Sequence, residues 1–383
     1  MANFGINDIP ISIPGLGALG ANPSPKKEDA SLAVNGKKFE GWESISVKRS
    51  IKAIAGAFSL NLTDKWAQEQ SSWLLNPGDE CALSIGGDRL ITGYLDGVKP
   101  SFTKESRTIV VSGRDKTGDM VDCSAVHKPG NWSDISILRL ANLLGAPFGI
   151  TAKSTVSGLK PFQNFNIQNG ESAFECLDRA AKLMGVLLMN DGTGNILITR
   201  TGTQRASTNL EQGNNILSAS ANFEMKERFS KYIVKGQNAG LADEATPGVD
   251  FAASGIATDA WIERYRPLIV MAEGAATPEI CTQRARWEAT VRAAKSSPIA
   301  VIVQGWRQSD GKLWELNKIV KLKSPWLGVN QDFLITSVEF KKSNDGTLTN
   351  LELERPDAYT PDPTVATRKE PLRQLVLKES ARQ

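Results

Sequence analysis

Three alternating strands occur twice in this chain, in the same order and at nearly the same spacing. GDECALSI, GGDRLITGYLDGV and TIVVSGRD in the first part are matched by ELNKIVKLK, NQDFLITSVEFKK and TNLELERPD near the end. Cys81 aligns with Ile319, Leu90 with Leu334 and Arg114 with Arg355, so the separation stays almost constant. Such a repeat constrains the fold more tightly than composition does, because each copy is one supersecondary unit and two copies give two similar β-units. Three such chains would set six related units in a ring, sixfold towards one partner and threefold towards another.

The stretch Thr108–Cys123, TIVVSGRDKTGDMVDC, closes the first copy and changes the character of the chain. Before it, Ser44–Ile51, Ala57–Asp64 and Glu80–Ile85 alternate apolar and polar residues with the two-residue period of half-buried strands. Gly86, Gly87 and Asp88 form a hairpin turn into Arg89–Val98. After the joint, helices are predicted. Ser133–Gly145 has Ser133 placed to cap and Gly145 to stop, and Glu171–Gly185 holds the capping box Ser172-x-x-Glu175. Phe174, Leu177, Ala181 and Met184 share a face of that second helix, the pattern of a core-facing stripe, and Asp178 lies one turn before Lys182. A hairpin around NDGTGN completes a compact α/β module.

The β pattern returns from about Leu217, through Phe229–Gln237 and Ile299–Trp306, to the second copy of the repeat. Within it, NAGLADEATPGVDFAASGIATDA reads as a surface insertion, and Thr277–Ser296 as a helix with Thr277 as cap and Pro278 in its first turn. The Gly- and Pro-rich leader reads as a flexible arm, or as one that orders on a neighbouring subunit through Ile9–Leu19. The expected fold is α+β, mainly β. An arm over 1–30 precedes a first small β-barrel over 31–114, the α/β module over 115–205 and a second barrel over 206–356 with its loop and helix insertion; a tail follows over 357–383.

Composition enters mainly through what it excludes. A formal charge of +3 over 383 residues provides no basic stripe of the kind a dedicated nucleic-acid binder shows. The one histidine, His127, sits in a loop beside Pro129 and Gly130, which removes multi-histidine metal sites and most histidine triads. Cys81, Cys123, Cys176 and Cys281 lie far apart and read as small hydrophobes in a reducing compartment, not as a disulfide or zinc framework. No apolar run is long enough to span a bilayer, and no secretory signal is read at the N-terminus. With no P-loop, GxSxG or HExxH, no catalytic, cofactor-binding or metal-binding residues are expected.

Asp115, Asp119 and Asp122, with Arg114 and Lys116, form the densest carboxylate cluster. Such a cluster suits the acid/base pair of a glycosidase, or an ion-paired joint between domains, which imitates a catalytic site and is the reading preferred here. Arg284, Arg286, Arg292 and Lys295 on the predicted helix suit a DNA-facing surface, but Glu279 and Glu288 between them favour a solvated or interface face. Trp42, Trp66, Trp73, Trp261, Trp306, Trp314 and Trp326 fall near strand ends or loops, which fits both barrel plugs and subunit interfaces.

The ordered set GWESISVKRSIKAIAGAFSL, ITGYLDGV, VSGRDKTGDMVDCSAV, RFSKYIVKGQ, ATD, RYRP and DGKLW resembles the baseplate hub proteins of phage Mu and related contractile-tailed phages, over roughly Ser31–Pro356. The resemblance implies a fold similar to the hubs of T4-like phages and to the N-terminal part of type VI secretion spike proteins. It implies a homotrimer whose paired barrels form a pseudo-hexameric ring in the virion's tail baseplate, made in the host cytoplasm. Such a ring joins the sixfold tail tube or distal tube protein to the threefold central spike and encloses a DNA channel. Tape-measure and baseplate wedge proteins are further implied neighbours, with no cofactor and no stable membrane insertion. Two readings from other classes stand beside it: a tail-associated peptidoglycan hydrolase using Asp119 or Asp122, and a glycan-binding module over 115–205.

Overall fold

The computed structural model describes residues 29–63, 75–104, 106–237, 252–275 and 278–359. Nearly all of the expected arm and of the tail, together with Trp66, Trp73 and the cap at Thr277, lie outside them; Ala30, placed in the arm, opens β1. The first part comprises β1 (Ala30–Val34), β2 (Lys37–Phe39), β3 (Ser44–Ser50), β4 (Ala53–Thr63), β5 (Glu80–Ile85), β6 (Asp88–Phe102), β7 (Arg107–Asp115) and α1 (Thr117–Asp122). Next come β8 (Asn131–Ile135), α2 (Ile137–Gly145), β9 (Ala152–Ser154), β10 (Phe162–Asn166), α3 (Ala173–Met184), β11 (Leu187–Asn190) and β12 (Ile196–Thr199). The last part holds β13 (Leu210–Glu211), β14 (Ile216–Ala221), β15 (Lys231–Gln237), β16 (Ala252–Thr258), β17 (Pro267–Ala275) and α4 (Pro278–Lys295). It ends with β18 (Ile299–Gln304), β19 (Ile319–Ser324), β20 (Val329–Ser343) and β21 (Gly346–Glu354).

The protein is mainly β. One large sheet follows the path β14-β18-β21-β20-β3-β4-β7-β6-β5-β1-β2, with β19 branching from β20 and carrying β13. The path is open: among the described residues no pairing closes either half into a barrel. The halves are joined edge to edge where β20 pairs with β3, Phe340 standing opposite Val47.

The repeat is visible in the hydrogen bonding. β5-β6-β7 and β19-β20-β21 are the same antiparallel meander. In the first copy Leu95 pairs with Gly113 and Gly97 with Ser112, bulging at Asp96. In the second, Ile335 pairs with Leu353 and Ser337 with Glu352, bulging at Thr336. This register sets Tyr94 against Leu334 and Arg114 against Glu354, and so corrects the alignment read from sequence. The tripeptide Leu-Ile-Thr, present at both Leu90 and Leu334, pulls that alignment out of step. The Leu-Ile-Thr match is four residues out of step and keeps the faces, whereas the match of Arg114 with Arg355 is one residue out and would send every side chain to the other face, so ladder pairing outranks identity.

Leu32, Leu83, Ile91 and Val111 of the first half and Val301, Phe333, Phe340 and Leu351 of the second belong to one buried core. Each large apolar side chain buried there contributes about 1.5–3 kcal/mol. Trp306 is fully buried in it and its Nε1 donates to Lys341 O at 2.9 Å and Leu348 O at 3.1 Å.

The middle elements pack a separate core around Met120, Ile137, Leu140, Leu144, Leu177 and Ala180. Helix α3 has the expected capping box, with Glu175 N donating to Ser172 Oγ at 3.1 Å and Ser172 N to Glu175 Oε2 at 2.8 Å. Helix α2 departs from expectation at both ends. Its cap is Ser136, which accepts from Arg139 N at 3.3 Å, because Ser133 is held extended in β8 opposite Asn164 of β10. Gly145 does not turn the chain; a Cβ there would stand 2.7 Å from Ile150 O, so glycine is needed for close approach, and the left-handed residue is Gly149.

In the last part α4 packs on the sheet β16-β15-β17 through Cys281 and Ala285, against Tyr232 and Val234. Strand β16 lies inside the stretch expected to be an insertion, and the rest of that stretch up to residue 251 is not described. Small side chains hide this strand in the sequence. Gly255 makes room for the helix, since a Cβ there would fall 2.0 Å from Thr282 N.

Candidate functional site

The charged joint between β7 and α1 is sorted by strand geometry. Alternation along β7 turns Arg114 towards solvent and Asp115 inwards. The Arg114 guanidinium donates to Asp96 Oδ2 at 2.7 Å and to Asp122 Oδ2 at 2.7 Å, bridging the β6 bulge to the end of α1. Those two carboxylates hold its pKa above the ordinary guanidinium range, and the same contact holds Asp122 below the ordinary carboxylate range. Asp119 shifts upward, through burial first, opposed by the nearby Arg114 charge.

Asp115 is 2% exposed and takes no part in that clamp. Its Oδ1 accepts from Thr117 N at 3.1 Å and Thr117 Oγ1 at 2.9 Å, while its Oδ2 has no partner. Burial pushes its pKa up, against the Thr117 hydrogen bonds and the Arg49 charge. Arg49 is the other half of the joint. From β3 its Nη2 donates to Asn190 Oδ1 at 2.7 Å and to Asn190 O at 2.8 Å, fastening the large sheet to β11. Thr92 Oγ1 donates to Gly192 O at 3.1 Å beside it. Asp122 and Asp96 are thus held on one cation and Asp115 is turned into the core, an arrangement that fixes two units together.

Across the β3–β20 junction, Ser46 Oγ donates to Glu339 Oε1 at 2.9 Å and Ser337 Oγ to Arg49 O at 3.2 Å. Lys48 meets Glu352 at 3.3 Å. An apolar seam of Val47, Val338 and Phe340 lies beneath these polar contacts.

The chain is 33% identical over 313 residues to the baseplate hub protein gp44 of Escherichia phage Mu, covering 80% of this chain and 82% of that one. It belongs to the Mu-type baseplate hub family. Family profiles match in three places: Mu phage baseplate assembly protein GpP-like, N-terminal, at residues 29–115; baseplate hub protein gp44-like, second domain, at 117–200; and Mu phage baseplate assembly protein GpP, fourth domain, at 277–362. Among solved structures, the 43 kDa tail protein of prophage MuSo2 from Shewanella oneidensis is 36% identical, with TM-score 0.77 over 88% of this chain and 100% of that one. A tail protein from Neisseria meningitidis shares the fold at 21% identity, with TM-score 0.76 over 88% of this chain and 98% of that one. An Escherichia coli type VI secretion component, described as similar to T4 bacteriophage tail proteins gp27 and gp5, shares the fold at 10% identity, with TM-score 0.52 over 88% of this chain and 80% of that one.

The other residues singled out in the sequence are dispersed through the hub chain. On α4, Arg284 and Arg292 both bond the buried Glu288, each at 3.0 Å, and Arg284 stacks over Trp287, whereas Arg286 and Lys295 are exposed. Trp42, Trp306 and Trp314 are core residues, Trp261 is half-buried and Trp326 is 85% exposed. His127 packs its ring against Trp132 at 5.1 Å. Cys81, Cys176 and Cys281 are buried free thiols, the first two with pKa pushed up to about 12 by burial, and Cys123 is exposed. Sequence reading missed Asp96, Arg49 and Asn190. For Asp96 a signal exists: Asp-Gly inside an otherwise alternating strand marks a bulge. Arg49 and Asn190 lie far apart in the chain and carry none.

Proposed function

We propose that this chain is the structural hub of a contractile tail baseplate, a homotrimeric ring that adapts the sixfold tail tube to the threefold central spike. The observation that carries the reading is the matched pair of meanders, bulged at equivalent places and joined edge to edge within one chain. Two near-equivalent units per subunit are what a trimer needs to offer six similar contacts on one side and three on the other. Membership of the Mu-type hub family supports the same role.

In this reading the two barrel-like units span 31–114 and 206–356 and line the ring, which encloses the channel for DNA. The α/β module over 115–205 is braced on the first unit through Arg49 and Arg114. Tube or distal tube, spike, tape-measure and wedge proteins are the partners, and the site of action is the virion baseplate after synthesis in the host cytoplasm. The role is structural, without catalysis, cofactor or metal: Asp122 is tied to Arg114 and Asp115 is turned into the core.

Native mass and image averages of the purified chain, with and without the spike protein, test this. A threefold ring with six lobes and a central hole is expected. A monomer that ignores the spike overturns the proposal.

A further inference from the structure

The internal junction has a counterpart that one chain leaves unmade. In β20, Ser337–Lys342 pair with β21 on one edge and with β3 on the other. The matching stretch of β6 is Gly97–Phe102, which pairs with Ser112 to Arg107 as Ser337–Lys342 pair with Glu352 to Thr347. Its other edge carries no strand among the described residues, since β5 covers β6 only from Asp88 to Tyr94. Strand β14 matches β3 in the same way. Ile45, Ser46 and Val47 pair with Leu60, Ser59 and Phe58 of β4, as Ala219, Ser220 and Ala221 pair with Val301, Ala300 and Ile299 of β18. β4 and β18 lie on β7 and β21 in equivalent register. Asn222 N and Glu224 N continue the ladder, bonding Pro298 O at 3.1 Å and Ser296 O at 2.9 Å. β14 ends the strand path; Gln212 bridges to Ile216 at its start, and from Ser218 onwards its outer edge carries no strand among the described residues.

We infer that the outer edge of β14 in one copy of this chain pairs antiparallel with Gly97–Phe102 of β6 in the next copy, in the register of the internal β3–β20 junction. The inference rests on the ring proposed above and supplies its subunit contact. Copying the internal register sets Phe102 opposite Ala219, Ser101 opposite Ser220, Pro100 opposite Ala221, Lys99 opposite Asn222 and Val98 opposite Phe223. The face that matches the buried Val47, Val338 and Phe340 then holds Val98, Pro100, Phe102, Ala219, Ala221 and Phe223, all apolar. The opposite face holds Gly97, Lys99, Ser101, Ser220, Asn222 and Glu224, with Lys99 and Glu224 as diagonal neighbours of opposite charge.

In the single chain Phe102 is 84% and Phe223 56% exposed, a poor state for two aromatic rings on bare strand edges. Pro100 leaves the ladder one donor short. Thr103 N bonds Ser106 O across the β6–β7 hairpin, so alternation turns Pro100 N towards the open edge. The chain's own β6 does not fill this place: six strands, β18, β21, β20, β3, β4 and β7, lie between it and β14, and no ladder joins the two. If both junctions turn the chain by the same angle, six units close the ring, and three chains supply them.

The test is a cross-link in the full-length chain. Ser101 and Ser220 would face each other at a non-hydrogen-bonded site, where Cα atoms stand about 4.5 Å apart, within disulfide reach. Ser101→Cys with Ser220→Cys, carrying Cys123→Ser to remove the exposed native thiol, is expected to give covalent trimers on oxidation. A trimeric native mass without the cross-link overturns the junction and leaves the ring standing; a monomer with or without the spike protein overturns both. Equal cross-linking of Ser101→Cys with Ser218→Cys overturns the register. As a second variant, Phe223→Asp is expected to lower the native mass roughly threefold while the circular dichroism of the folded chain stays unchanged. A trimer that survives this change overturns the junction.

Discussion

Arg114 and Asp115 are adjacent in the chain and sit in opposite surroundings, because successive residues of a strand face opposite ways. Arg114 reaches out to two carboxylates, while Asp115 is enclosed with one oxygen unpartnered. Burial raises the Asp115 pKa, so the folded state holds its proton more tightly than the unfolded chain does. Its contribution is therefore complete below the ordinary carboxylate pKa and is lost as pH rises through the folded value. Asp115→Asn keeps the Oδ1 acceptor for Thr117 and removes the charge. The melting temperature of the variant, relative to the parent, should rise as the pH is raised above the ordinary carboxylate value of about 4; a difference that stays constant with pH would sink this account. Trp306→Phe keeps an aromatic ring in the core but removes the donor to Lys341 O and Leu348 O. A loss of about 1–2 kcal/mol is expected in chemical denaturation.

At the scale of elements, caps and glycines carry most of the local information. Ser172→Ala removes the acceptor for Glu175 N and should cost about 1 kcal/mol of stability, read from urea midpoints. Gly255→Ala tests the seat of α4. Its Cβ would collide with backbone at Thr282, so α4 must lift from β16, and a loss of at least about 2 kcal/mol is expected. Amide exchange should speed up in α4 and β16 and stay slow in β20. The capping box of α3 is legible because Ser172 and Glu175 are three residues apart and need nothing else. The cap of α2 is not, since Ser133 and Ser136 are equally good candidates until pairing of β8 with β10 claims the first. Strand β16 was hidden because Ala, Ser and Gly announce no strand; the helix lying on it requires them small.

For the whole molecule, Arg49 links the large sheet to the α/β module, and its loss should be felt at that seam. Arg49→Ala leaves the Asn190 oxygens without their donor and should cost about 2 kcal/mol. The middle core, around Leu140 and Leu177, should then melt ahead of the large sheet in calorimetry. A single cooperative transition at the parent temperature would show that the seam contributes little.

From the amino acids alone come the β-rich character, the two meanders, the α/β module between them, the capping box and the absence of familiar catalytic signatures, because each rests on neighbours in the chain or on short-period patterning. Tertiary structure decided the register of the repeat, the partners of Arg114, Asp115 and Arg49, the strand inside the loose stretch and the joining of both halves through β3 and β20. Those depend on which segments meet after long loops close. Ladder hydrogen bonds, bulges and buried contacts set that choice between residues hundreds of positions apart, and local propensity does not encode it.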